Sequence, residues 1–143
     1  MHVASILKVK GHAVETVRDD ATLMAVAGRL AAKRIGAVVV TEKSGHIAGI
    51  VSERDIVQAI AKAGASCLEL PVSEIMTRDV LTCAEDDTID EIMSRMTARR
   101  CRHLPVMSDR QLAGIVSIGD VVKHHIAEVE MEASAMRDYI ATG

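Results

Sequence analysis

The chain carries one short phrase twice. AGIVSERDIV at residues 48–57 and AGIVSIGDVV at 113–122 are identical at seven of ten positions and lie 65 residues apart. Self-similarity at a fixed period means one supersecondary unit present in two copies, which constrains the fold more than any composition figure does. Upstream, AKRIGAVVV at 32–40 lies over ARRCRHLPV at 98–106 with an offset of 66, and Thr22 lies over Thr88, so the second copy lacks one turn residue. A chain of 143 residues is one domain's worth, and the two copies must share it.

In the first copy, Val14 to Val17 suits a short strand. Thr22 is placed to N-cap a helix whose apolar residues Leu23, Val26, Ala27, Leu30 and Ala31 recur at helical spacing. The β-branched run Ala37 to Thr41 and the segment Ile47 to Ser52 read as two strands joined through Ser44 and Gly45. A second helix, with Ile56, Val57, Ile60 and Ala61 on one face, ends at Gly64. The second copy repeats the order: Thr88 and Glu91 form a capping box, Ile89, Ile92, Met93 and Met96 make the stripe, and a hairpin turns at Asp109 and Arg110. Each unit is therefore βαββα. Continuous apolar runs such as Ala37 to Val40 predict strands buried on both faces, hence an α/β layer structure with pseudo-twofold symmetry and a cleft between the copies.

Composition narrows the partners. The chain has no Trp, no Phe and a single Tyr, Tyr139, so aromatic platforms for stacking bases are missing. A net charge of -3 removes the basic footprint of a duplex binder, and nucleic acid is not an expected partner. At 49% hydrophobic and 26% charged residues the chain is too apolar for disorder and too interrupted by charge for a membrane span. Cys67, Cys83 and Cys101 show neither a disulfide framework nor a CxxC pattern, and MHVASILKVKG lacks a leader's apolar run, so a reducing, cytoplasmic setting is expected. His12, His46, His124 and His125 have no metal-ligand spacing, and no metal is expected. Cys101 sits in the basic stretch RRCRH, where it reads either as an acidified, redox-sensitive thiol or as a small buried residue.

From Asp120 onward the last helix overruns the repeat. Val122, Ile126, Val129, Ala133, Met136 and Ile140 are spaced 4, 3, 4, 3, 4, a heptad seam that packs either on the chain's own body or on a second chain. At the helix starts, SERD at 52–55 and SIGD at 117–120 place Ser at the N-cap and Asp at the third helical position. Such pairs are common capping devices. The same ends also present free N–H groups suited to phosphate, beside a carboxylate suited to a ribose diol.

Paired βαββα units ending in GIVSERDIV and GIVSIGDVV, with MTRDVLTC between them and RHLPV before the second hairpin, resemble a CBS-domain pair over roughly residues 5–127. The resemblance implies two tandem βαββα CBS repeats forming a Bateman module, plus a C-terminal helical extension. The expected divisions are 1–64 for the first repeat with its N-terminal segment, 65–79 for a linker, 80–127 for the second repeat and 128–143 for the extension. It also implies a cleft ligand containing adenosine (AMP, ADP, ATP, NAD(H) or S-adenosylmethionine) and a homodimer.

Carried over residue by residue, the family pattern joins Ser52, Arg54, Asp55 and Thr77 with Cys101, Arg102 and His103 in one site. It joins Ser117 and Asp120 with Ile35, Gly36 and Ala37 in the other. Asp55 and Asp120 would hold ribose. The sites are unequal: Gly119 stands where the first has Arg54, and Lys8 to Gly11 stands where the first has Thr77, leaving open which lysine serves the second. Arg54, Arg102 and His103 favour phosphate at the first site. The reading that follows is a non-catalytic regulatory module signalling nucleotide occupancy to its own dimer or to a protein effector in trans. The alternatives are a structural dimerisation module whose SERD and SIGD motifs only cap helices, and a small nucleotide-processing enzyme.

Overall fold

The computed structural model describes residues 1–142 as two compact units, one spanning Val14–Val80 and the other combining Met1–Ala13 with the chain from Leu81 onward. Among the described residues no helix is long and apolar enough to cross a membrane.

In the Val14–Val80 unit, β1 (Thr16–Arg18) pairs parallel to β2 (Ala37–Thr41), which pairs antiparallel to β3 (Ile47–Ser52). The first strand starts two residues later than its sequence reading. Helix α2 (Leu23–Lys33) is capped by Thr22, whose Oγ1 accepts from the Ala25 amide at 3.1 Å, and α3 (Glu53–Ala63) follows β3 without a loop. The β2 run Ala37–Val40 is buried throughout, as its unbroken apolar pattern predicts. On α3, however, Ile56 and Ala59 are buried, while Val57, Ile60 and Ala61 of the predicted face are exposed. One row of α3 suffices to cover a sheet of three strands.

The other unit repeats this order with β4 (Cys83–Ala84), α4 (Ile89–Arg99), β5 (His103–Ser108), β6 (Gln111–Ser117) and α5 (Ile118–Thr142). The Thr88–Glu91 capping box is formed, and the β5–β6 hairpin turns through Asp109 and Arg110 at φ of 50° and 65°. Two successive left-handed residues match the twist of the flanking strands. Helices α2 and α4 both end on a left-handed arginine, Arg34 and Arg100, where glycine is the usual choice.

Two of the expected segments pack as parts of the compact units. Residues 65–79 are not a free linker: two short 3-10 turns, Ala65–Glu69 and Val72–Glu74, place Cys67, Val72 and Met76 in the core of the Val14–Val80 unit. The N-terminal segment forms α1 (Val3–Lys10), whose Val3, Ile6 and Leu7 enter the core of the other unit, beneath the second repeat. The two segments play the same part in their respective units. The Val72 amide donates to Ala21 O at 2.7 Å, and the Val3 amide donates to Asp87 O at 2.9 Å, at matching points of the repeat.

Close approach makes two glycines necessary. A Cβ at Gly114 would lie 2.7 Å from Leu7 Cδ2, and one at Gly49 would lie 2.7 Å from Thr77 O and 2.8 Å from Met76 Sδ. Helix α1 and the strand-like segment at Met76–Thr77 thus press on equivalent glycines of β6 and β3.

Candidate functional site

In the Val14–Val80 unit, β3 runs directly into α3 at Ser52, and the cap is reciprocal. Ser52 Oγ accepts from the Asp55 amide at 3.3 Å, while Asp55 Oδ2 accepts from the Ser52 amide at 2.9 Å and from its hydroxyl at 3.1 Å. Capping is therefore part of what SERD does, and it occupies Oδ2 of the carboxylate. Beside it lie the predicted base-holding residues: Ala37 stands opposite Ser52 in the β2–β3 register, and Gly36 O accepts from the Glu53 amide at 2.9 Å. Ile35 and Gly36 also line a mostly apolar groove between α2 and α3, with Arg34 and Glu53 among its lining. Thr77 is zipped to β3 by two backbone bonds with Ile50, of 2.9 and 3.0 Å, and its side chain is exposed, as is that of Arg54.

The second-repeat unit has the same arrangement. Ser117 Oγ accepts from the Asp120 amide at 3.1 Å, and Asp120 Oδ2 accepts from the Ser117 amide at 2.9 Å. His103 stands opposite Ser117, and Arg102 O accepts from the Ile118 amide at 2.8 Å. Each unit thus brings its Ser/Asp helix start and a strand-start segment together at one end of one sheet. The crosswise grouping that the resemblance implies spans the two units: Ser52, Arg54, Asp55, Thr77, Ile35, Gly36 and Ala37 belong to one, and Cys101, Arg102, His103, Ser117 and Asp120 to the other.

One residue missing from the predicted set joins the second helix start. Lys10 Nζ, at the end of α1, lies 2.7 Å from Asp120 Oδ2 and 2.9 Å from Ile115 O. Ile115 is the repeat partner of Ile50, so the Lys10 ammonium takes the carbonyl that in the first repeat bonds the Thr77 amide. His12 Nδ1 reaches Ala113 O nearby at 2.8 Å. The sequence signal was the Lys8 to Gly11 stretch itself, but choosing between Lys8 and Lys10 required knowing that α1 packs on the second repeat. Burial would raise the Asp120 carboxyl, but the Lys10 ammonium and the Ser117 amide and hydroxyl overcompensate and hold it below the ordinary carboxylate range.

The cysteines behave otherwise. Burial raises the Cys101 thiol and outweighs the lowering pull of Arg99, so the acidified reading of Cys101 is corrected. Cys83 is pushed up to about 12, chiefly by burial and further by Asp87. Among the described residues, no three His, Cys, Asp or Glu side chains are grouped so as to hold a metal ion.

Comparison with known proteins is consistent across sequence and structure. The CBS domain model matches residues 8–62 and again 72–126. A mitochondrial CBS domain-containing protein of Arabidopsis thaliana, CBSX3, is 31% identical over 99% of this chain and 72% of its own length. Among solved structures, the CBS-domain containing protein ATU1752 from Agrobacterium tumefaciens aligns with TM-score 0.84 at 48% identity, covering 85% of this chain and 91% of that one. PAE2072 from Pyrobaculum aerophilum, solved in complex with AMP, aligns with TM-score 0.75 at 27% identity over 84% and 89% of the two chains. The CBS domain pair of protein MJ0100, solved with 5′-methylthioadenosine and S-adenosyl-L-methionine, aligns with TM-score 0.79 at 26% identity over 90% and 98%. With two family matches, two βαββα units and these relatives, the chain belongs to the CBS-domain family as a tandem pair of CBS domains.

Proposed function

We propose that this CBS pair is a non-catalytic regulatory module that binds an adenosine-containing ligand and signals occupancy to a protein effector in trans. The carrying observation is the Ser/Asp helix start built twice, at Ser52–Asp55 and Ser117–Asp120, in a chain whose structural relatives are solved with AMP, 5′-methylthioadenosine and S-adenosyl-L-methionine. At such an end the helix dipole favours phosphate, and the amides of Arg54 and Gly119 take no part in the caps. The cap uses Oδ2 of each carboxylate and leaves Oδ1 for a ribose diol.

In this reading Asp55 and Asp120 hold ribose, and Ser52, Arg54, Thr77 and Ser117 hold phosphate or its bridging oxygens. Ile35–Ala37 and Cys101–His103 offer backbone groups to the adenine. Arg54 gives the first repeat's helix start a cation for phosphate where the second has Gly119. At the second helix start the ammonium of Lys10 is already paired with Asp120. A ligand shifts the module's conformational equilibrium only as far as it binds the two states differently, so the signal is a difference in affinity and not occupancy as such.

The test is thermal unfolding of the ligand-stripped protein against AMP, ADP, ATP, NAD⁺, NADH, 5′-methylthioadenosine and S-adenosylmethionine. A ligand at 100 times its Kd should add about 2.7 kcal/mol of stability. A rise for one or two of them, lost in Asp55→Ala or Asp120→Ala, supports the reading. A flat panel assigns SERD and SIGD to capping alone, and turnover of ATP or NADH in the presence of Mg²⁺ would favour the enzymatic alternative.

A further inference from the structure

Helix α5 is held to its own unit along one face, which also carries Ile118 and the Lys10–Asp120 ion pair. Val121 is buried, His125 Nδ1 lies 3.5 Å from Asp90 Oδ1, and Glu128 Oε1 lies 3.3 Å from the N-terminal amine. The heptad seam occupies a different row. Val122, Ile126, Val129, Met136 and Ile140 are 39%, 51%, 49%, 61% and 69% exposed, so the seam does not pack on the chain's own body. From Val129 to Thr142 every residue is exposed, yet the helix continues unbroken. Helical stability in proteins comes mostly from packing an apolar face, and this stretch has none within its own chain.

We propose that α5 pairs with α5 of a second copy as a parallel two-stranded coiled coil. The flanking charges decide both occupant and direction. With Ile126, Ala133 and Ile140 at a and Val122, Val129 and Met136 at d, the e positions are Lys123, Glu130 and Arg137 and the g positions are His125, Glu132 and Tyr139. In a parallel pair each g side chain faces the e residue five positions further along the partner helix. This matches Glu132 with the second copy's Arg137. In an antiparallel pair with the seam fully overlapped, e faces e and g faces g. Lys123 then meets Arg137, while Glu130 and Glu132 each meet their own copies, all like-charged.

Sedimentation equilibrium of the full, ligand-free chain tests this independently of any nucleotide. The expected result is a dimer whose dissociation constant rises roughly tenfold or more in Met136→Glu, where a charge enters the apolar seam. Arg137→Glu should weaken the dimer about fivefold to tenfold by replacing an attraction with a repulsion, and the double variant Glu132→Arg/Arg137→Glu should restore it. An Ile140→Cys variant in a Cys101→Ser background should form an interchain disulfide on oxidation, because the two 140 positions are adjacent only in the parallel pair. A monomer at about 100 µM, far above typical working concentrations, or a dimer indifferent to Met136→Glu, would overturn the proposal. So would a dimer tightened by Arg137→Glu, since in the antiparallel pair the new carboxylate would face Lys123. Glu132, Met136, Arg137 and Ile140 are all exposed in the protomer, so a folded, monomeric Met136→Glu protein separates lost pairing from lost folding.

Discussion

Lys10 Nζ lies 2.7 Å from Asp120 Oδ2, an ion pair that ties the end of the first helix to the start of the last across 110 residues of sequence. Among the described residues no cation pairs with Asp55 at the corresponding helix start of the first repeat, where Ser52 bonds the carboxylate. The two repeats, alike in backbone, therefore differ in the charge at their proposed ligand ends.

Lys10→Met should remove this pair and lower unfolding stability at pH 7 by about 0.5–1 kcal/mol, a modest figure because both side chains are partly exposed to solvent. The carboxyl of Asp120 is held below its ordinary 3.8, so its contribution is present above that value and lost as pH falls through the lower folded-state pKa. Urea unfolding at pH 7 and at about pH 3 should show the gap between wild type and Lys10→Met closing on acidification. A gap that stays constant would mean the lysine acts through packing of α1.

Capping and ligand binding should separate by substitution at the serine. Ser52→Ala removes the side-chain acceptor of the Asp55 amide and should cost about 1 kcal/mol of stability. Ser52→Gly should cost only a few tenths, since glycine is tolerated at N-caps. Chemical denaturation gives the stability, and nucleotide-dependent thermal shifts of the same variants report binding. A glycine variant that folds well but loses its nucleotide response isolates the hydroxyl's role toward ligand.

The two packed glycines are unequal. At Gly49 an added Cβ meets the Thr77 carbonyl, which is backbone and locked to β3, whereas at Gly114 it meets a methyl of Leu7. Gly49→Ala should therefore cost about 2–3 kcal/mol and Gly114→Ala nearer 1 kcal/mol, within the range for overpacking. Equal losses in urea unfolding would show that α1 is as firmly seated as the Met76–Thr77 segment.

Thiol labelling should follow burial and not the neighbouring arginines. With Cys83 pushed up to about 12 and Cys101 raised as well, the folded protein at pH 8 should react slowly with a disulfide reagent, and at Cys101 first, because Cys67 and Cys83 are buried. Rapid stoichiometric labelling of Cys101 at pH 7 would restore the idea of an acidified thiol.

What the sequence determined by itself is what depends on neighbours a few positions away. The duplicated phrases, the β-branched run Ala37–Thr41, the Thr22 cap, the Ser52–Asp55 and Thr88–Glu91 capping boxes and the Asp109–Arg110 turn are all local, and each formed as its spacing predicts. The Ser/Asp helix starts follow β3 and β6 directly for the same reason. Tertiary structure alone decided what depends on distant partners. Helix α1 joins the second repeat and residues 65–79 join the first, because each fills the place beside an equivalent glycine that its own repeat leaves open. Lys10 rather than Lys8 reaches Asp120 because of the way helix α1 packs on the second repeat. Apolar periodicity likewise cannot say how much of a face a small sheet will cover. Val57 and Ile60 stay exposed on α3, and the α5 seam lies bare, because a three-stranded layer has surface for only one row of each helix.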